Sequence, residues 1–239
     1  MKKIFFSILS LCFVFTASIQ AQKTLEKGYI KMEITDVTST DEQMAAMLEM
    51  MKGTQTEIFF ADGNHMSKMD MMGGMVKMQT LFQQEGESID MLFDMMGQKM
   101  HIATTTKEME SKNGDQKDAM EGMEIVYDEN DTKEILGYKC VKAKVMDPKT
   151  KKATVEMYIS REIKADSKML QGMQHFDLEG YPLELIMNQP QMSLTLATVE
   201  LKEEVDTSVF KLNTDGFTKM TFEEFSEKMG SMGGGGFGF

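Results

Sequence analysis

The stretch that decides the fold is Ala153–Ser160, which reads ATVEMYIS. Apolar residues take every second position in it, with Thr154, Glu156 and Ser160 between them. A period of two is typical of a β-strand that buries one face and leaves the other in water. The same alternation recurs at residues 30–34, 89–95, 123–127 and 192–196. The chain is therefore expected to be rich in half-buried strands.

Turn-forming pairs stand between these stretches, namely Asp62-Gly63, Gly73-Gly74, Glu85-Gly86 and Asp147-Pro148. Such short connections favour antiparallel pairing, because a parallel crossover needs a dozen or more residues. The sequence thus predicts one α+β domain over residues 22–220, built on a single curved antiparallel sheet. We expect about ten strands, which form an incomplete barrel with two or three covering helices.

The first helix is predicted over residues 41–51, with Thr40 as its cap. Its apolar residues fall at helical spacing and form one stripe: Met44, Met47, Leu48 and Met51. This stripe is expected to pack on the apolar face of the sheet.

Two further helices are predicted. Residues 165–174 are expected to form a short one, and Thr221 begins another, TFEEFSEKM, with Glu224 in the capping-box position. The polar stretch 107–121 is expected to be a mobile loop. Residues 221–239 are therefore predicted to hold a short helix followed by a glycine-rich flexible tail.

Residues 1–21 have the pattern of a secretory signal peptide. Two lysines precede an apolar run that is too short to span a bilayer, and Ala21 offers a small residue for cleavage. We expect an exported protein, soluble after cleavage, in the periplasm or outer envelope. Cleavage would remove Cys12 and leave Cys140 with no intramolecular partner, and whether Cys140 is free in the cell stays open.

The charge and the motifs exclude several classes of protein. The net charge is −12 at pH 7, which argues against a nucleic-acid-binding protein, since that class needs a basic surface. The three histidines are scattered, and neither a phosphate-binding loop nor a nucleophile motif is present. The sequence therefore predicts a non-enzymatic binding protein that does not span a membrane.

Methionine is the unusual component of the composition. There are 28 methionines, and fourteen of them lie between Met44 and Met100. The side chain is flexible and polarizable, so it suits a surface that repacks around apolar partners of different shape. Its sulfur also prefers copper(I) among the first-row metals. Both interpretations stay open from composition alone.

Three further segments follow one another in a distinctive order. They are KEILGYKCVKAKV at residues 133–145, ATVEMYIS, and a closing D-x-x-x-F-x-L-x-x-x-G-F segment that begins at Asp206. This order resembles a family of secreted envelope proteins with the periplasmic lipoprotein-carrier (Lol-type) fold. The resemblance spans roughly residues 23–219. It implies an incomplete β-barrel whose hollow holds acyl chains, and it carries no catalytic residue to this chain.

The leading hypothesis is a protein that binds a lipid or a lipidated protein on the concave face of its sheet, with an envelope protein as a further possible partner. The side chains expected to line this hollow are Met32, Met44, Met47, Met51, Met91, Phe93, Met157 and Ile159.

The alternative hypothesis is a copper(I)-binding or copper-buffering envelope protein; under the leading hypothesis no cofactor is expected. Its candidate ligands are His65, Met66, Met69, Met71, Met72 and Met75. Strand geometry places Met69 and Met71 on one face and Met66 on the other.

Overall fold

The computed structural model describes residues 24–112, 122–166, 170, 173, 176–189 and 191–231. The predicted signal peptide, Cys12 and the glycine-rich end from residue 232 lie outside the described residues. In the described part of the chain, every helix is too short or too polar to cross a membrane.

Twelve strands form one open sheet, so the expected count of about ten is wrong. Strands β1 to β12 span, in order, Gly28–Ser39, Gln55–Ala61, Asn64–Met71, Val76–Gln83, Ser88–Met95, Gln98–Thr105, Glu124–Ile135, Tyr138–Met146, Ala153–Ser160, Tyr181–Gln189, Met192–Lys202 and Thr218–Met220. Their order across the sheet is β12-β6-β5-β4-β3-β2-β1-β11-β10-β9-β8-β7. The predicted antiparallel pairing is confirmed for the neighbours from β6 to β7, whereas β12 runs parallel to β6.

One face of this sheet is apolar across most of its width. Cross-strand partners point to the same side, so pairing extends the face from Ile30 on β1 to Ile58 on β2 and to Leu201 on β11. We call it the inner face, and it carries Met157 on β9 and Phe93 on β5. The opposite, outer face presents mostly polar and charged residues of the alternate register.

Three helices accompany the sheet in the described residues. They are α1 (Glu42–Glu49), α2 (Thr106–Lys112) and α3 (Phe222–Ser231). Helix α3 has the predicted capping box, because Thr221 Oγ1 accepts a hydrogen bond from the Glu224 amide at 3.2 Å and the Glu224 carboxylate accepts one from the Thr221 amide at 2.7 Å.

Other helix predictions were wrong or only partly testable. Asp41, not Thr40, caps α1, since its carboxylate accepts from the Met44 amide at 2.9 Å. Helix α2 occupies the start of the stretch 107–121 that was predicted to be a loop. In its first turn, the carboxylate of Glu108 accepts a hydrogen bond from the Thr104 hydroxyl. Residues 113–121 lie outside the described residues. Residues 165, 166, 170 and 173 are not helical, and the rest of the predicted second helix lies outside the described residues.

Four elements of the described residues pack on the inner face, and one of them, α2, places Met109 against the same cluster as α3. Between β9 and β10, the described residues 161–166, 170, 173 and 176–180, which we call the cover segment, pack Ile163 and Phe176 on Met157 and its neighbours. Helix α1 packs Leu48 on the end of β1. Helix α3 packs Phe225 on β5 and β6, with its ring centroid 4.6 Å from that of Phe93.

The closing segment, residues 203–217, links β11 to the distant edge strand β12. Its 3-10 turn, Thr207–Phe210, contacts β3, and Lys99 of the outer face lies over the Phe217 ring at 5.5 Å. Buried apolar side chains of the outer face, among them Met66 and Leu81, are cross-strand partners on β3 and β4. The segment therefore runs across the outer face and buries its apolar patch.

Candidate functional site

A strip of the inner face lies between the covers. Five side chains of β3 and β4 form it, and we call them the inner-face strip: Ser67, Met69, Met71, Met78 and Thr80. All five are half-buried, whereas inner-face residues of the strands on either side are mostly buried. None is among the buried members of the three covered clusters, although Met78 packs against the α3 cluster from the side.

The strip combines thioethers with hydroxyls. Ser67 pairs across the strands with Thr80, and Met69 pairs with Met78. From His65 to Met71 the strand extends for about 20 Å at roughly 3.3 Å per residue. Flexible methionine side chains can move aside for a ligand and repack around it. The strip is therefore a narrow, deformable, mainly apolar surface.

His65 closes the strip at the end away from α1. Its ring lies between Phe60 and Phe82, with centroid distances of 6.5 and 6.1 Å, and its Nδ1 is buried without a hydrogen-bond partner in the described part of the chain. Burial lowers the pKa of His65, because the low-dielectric surroundings disfavour the charged imidazole, and the carboxylate of Asp166 opposes this effect. Burial between these two rings therefore favours the neutral form of the His65 imidazole.

The other end of the strip opens between two hairpin turns. Met71 lies at the β3–β4 turn, and the amide of Met96 in the β5–β6 turn donates to the carbonyl of Met75 at 2.9 Å. Two surface depressions, of about 360 and 270 Å³, lie elsewhere, beside Gln98 and beside Asp166. Neither of these two depressions lies on the strip.

The structure brings most predicted lining residues to the inner face but divides them among the three clusters. Met32, Met157 and Ile159 are buried under the cover segment, and Met91 and Phe93 are buried under α3. Met44 and Met51 are half-buried where α1 packs on β1, while Met47, which was predicted to belong to the same stripe, is exposed. Which side chains contact a ligand stays a prediction.

Sequence reasoning missed the strip itself. In β3, HMSKMDM, methionines occupy both faces, so the period of two is hidden. Only the turn at Asp62-Gly63 fixes the register, and from it Ser67 and Met69 could have been assigned to the same face as Phe60.

The six candidate copper ligands do not meet at one point. His65, Met69 and Met71 share the inner face of β3 over about 20 Å, and Met66 is buried on the outer face. Met72 and Met75 lie in the exposed turn between β3 and β4. No cluster of three or more His, Cys, Asp or Glu suited to a metal ion occurs among the described residues.

Cys140 is a free, buried thiol on β8. Burial raises its pKa to about 12, with the carboxylates of Glu162 and Glu184 acting in the same direction. Burial therefore disfavours the thiolate, which is the reactive form, and we expect Cys140 to react slowly in the folded protein.

No family model matches the sequence, and no curated protein matches it. Solved structures do resemble the fold. PNGF-II aligns with 84% of this chain at a TM-score of 0.48 and 11% identity, and the chain spans only 32% of the length of that protein.

The structural neighbours also include a lipoprotein and a LolA superfamily protein. The lipoprotein LppX of Mycobacterium tuberculosis aligns with 76% of this chain and 89% of its own, at a TM-score of 0.36 and 11% identity. A LolA superfamily protein of Nitrosomonas europaea aligns with 79% of this chain and 91% of its own, at a TM-score of 0.24 and 8% identity. These values assign neither a ligand nor an activity to this chain.

Proposed function

We propose that this protein binds an apolar or amphiphilic ligand, a lipid or the acyl chain of a lipidated protein, along the inner-face strip. Binding is non-catalytic and takes place in the cell envelope, where the predicted signal peptide would deliver the protein. The observation that carries the proposal is the gap in the cover: the cover segment, α1, and α2 together with α3 pack on an apolar face of twelve strands, and β3 and β4 lie between them.

The energetics favour a ligand held by both the strip and its covers. A buried methylene contributes about 0.8 kcal/mol, so ten methylenes buried on one side only would contribute about 4 kcal/mol. That is only about millimolar affinity, even before the cost of ordering the chain is counted. Tighter binding therefore requires α1 or α3 to close over the other side of the ligand.

The covers are suited to such movement. Helix α1 has only eight residues and a single fully buried side chain, Leu48. Among its described side chains, helix α3 buries only Phe225 on the inner face, with Phe222 packed at the margin. Segments with so few buried contacts open at a fraction of the free energy of global unfolding.

Binding of a fluorescent fatty acid to the purified protein, measured by displacement, tests this proposal. Two variants, with substitutions at adjacent residues, are compared with the unmodified protein. Met69→Trp fills the strip, whereas Asp70→Trp places the same ring on the exposed outer side of the same strand. We expect Met69→Trp to weaken binding about tenfold, equivalent to about 1.4 kcal/mol, and Asp70→Trp to leave it unchanged. Absence of binding to the unmodified protein, or equal loss in both variants, would refute the proposal.

A further inference from the structure

Five exposed methionines of the described residues lie at one end of the sheet. Among the described residues, the large hydrophobic side chains that are exposed include five methionines, which we call the methionine rim: Met47 (58% exposed), Met50 (61%), Met72 (43%), Met75 (44%) and Met96 (78%). The other methionines whose side chains are described are buried or half-buried.

Strand register places these five residues at the same end. The β3–β4 turn holds Met72 and Met75, the β5–β6 turn holds Met96, and the hydrogen bond from the Met96 amide to the Met75 carbonyl joins the two turns. Met47 and Met50 belong to α1 and the residue after it, and α1 packs on the end of β1 that pairs with the start of β2. Because Gln55 at the start of β2 pairs with Asp70 at the end of β3, α1 lies at the end of the sheet that bears the two turns.

We propose that the methionine rim is a site of reversible oxidation by two-electron oxidants such as hydrogen peroxide. The thioether sulfur attacks one peroxide oxygen, the O–O bond breaks, and an S–O bond forms. After proton transfer the second oxygen leaves as water. Each methionine loses two electrons and becomes the sulfoxide, and each peroxide gains them.

The rim methionines lie outside the core, so their oxidation does not disrupt the packing of the core. Oxidation of a core methionine would place a polar sulfoxide among apolar neighbours and disrupt packing. Met32, Met100 and Met157 are at most 1% exposed, so an oxidant reaches them only after local opening. The rim side chains are 43–78% exposed instead, so their sulfoxides disturb little packing. Oxidation thus changes one end of the sheet from apolar to polar while the protein stays folded.

The sulfoxides are also accessible for repair. Methionine sulfoxide reductases reverse the reaction, one enzyme for each sulfoxide epimer, with a thiol as the electron source. The rim lies on turns and on the outer side of a short helix, where a second protein can reach the side chains.

Peptide mapping after exposure of the folded protein to hydrogen peroxide tests the first part of the proposal. We expect the five rim methionines to oxidise at least about tenfold faster than Met32, Met100 and Met157, with no change in the melting temperature. Treatment with the two reductases and a thiol should then restore the original mass. Uniform oxidation across the chain, unfolding that accompanies the first oxygens added, or sulfoxides that resist the reductases would overturn the proposal.

A variant with leucine at all five rim positions isolates the change in surface character. Leucine keeps the volume and the apolar character but cannot be oxidised. Binding of a hydrophobic dye to the unmodified protein should fall on oxidation and recover on reduction, whereas dye binding to the leucine variant should not respond to peroxide. Equal responses of the two proteins would show that half-buried methionines such as Met69 and Met78 carry the effect, and would contradict the assignment to the rim. Because dye binding and oxidation are measured without lipid, this outcome is independent of the proposed lipid binding.

Discussion

Replacement of His65 by glutamine should remove a specific part of the acid sensitivity of this fold. The imidazole is buried between two phenylalanine rings, and its folded-state pKa lies below the ordinary value of 6.5. In the unfolded chain His65 regains the ordinary value and takes up a proton as the pH falls below 6.5. The unfolded state then binds more protons than the folded state, so stability falls as the pH falls.

The size of this loss of stability follows from the one extra proton that the unfolded chain binds. For each pH unit below 6.5 over which the folded imidazole stays neutral, the free energy of unfolding should decrease by about 1.4 kcal/mol. Below the folded-state pKa both states are protonated and this loss stops growing. The carboxylate of Asp166 raises the folded-state pKa, so Asp166→Asn should extend the loss to lower pH.

Urea unfolding followed by circular dichroism between pH 7.5 and pH 5.5 measures this effect. His65→Gln should flatten the dependence of the unfolding free energy on pH, whatever its effect on stability at pH 7.5. His101→Gln is the matched control, because His101 lies on the outer face and bonds Asp90 at 2.7 Å, and its variant should retain the loss caused by His65. An unchanged slope in His65→Gln would refute the reasoning, since it would show that the buried imidazole does not titrate differently in the two states.

Three other substitutions or treatments test the fold. Leu136 opens the β7–β8 turn with a φ of 50°, a conformation that asparagine adopts more easily, so Leu136→Asn should raise the free energy of unfolding by about 0.5–1 kcal/mol in urea titrations; a decrease would contradict the turn assignment. Cys140, with its pKa raised to about 12, should react with a thiol reagent at pH 8 only as fast as the protein unfolds, and rapid labelling would show an open strand β8. Phe225→Ala removes the main buried contact of α3, worth about 3 kcal/mol, so hydrogen exchange should speed up in α3 but not in β8 and β9; uniform acceleration would mean that α3 is part of the global core.

The sequence predicted the sheet well where one face alone is apolar. Ala153–Ser160 alternates cleanly and forms β9 as expected, because its apolar residues all point to the inner face. Strand β12 could not be predicted, since three residues are too few to show alternation and its partner β6 lies more than a hundred residues earlier. The closing segment carries the motif that begins at Asp206, yet only the sheet order explains its role as a crossing on the outer face.

The candidate site was less accessible to sequence reasoning. Apolar residues such as Met32 and Met157 were correctly expected to share a face, but burial under the cover segment depends on contacts between residues far apart in the chain. The strip is the part of the inner face that lies between the covering elements. The positions of those elements cannot be predicted from the local sequence of β3 and β4. The methionine clusters suggested a copper site because their members are close together in sequence. In a strand, however, neighbours in sequence such as His65 and Met66 lie on opposite faces.

Residue-level mapping of a photoreactive fatty acid crosslinked to the folded protein tests the central claim most directly. Adjacent residues of β3 and β4 point to opposite faces, so the strands provide their own control. The account predicts adducts on Ser67, Met69, Met78 or Thr80 that an excess of unlabelled fatty acid suppresses. Adducts confined to the outer-face neighbours Lys68, Asp70, Lys77 and Gln79, or labelling that unlabelled fatty acid does not reduce, would contradict it.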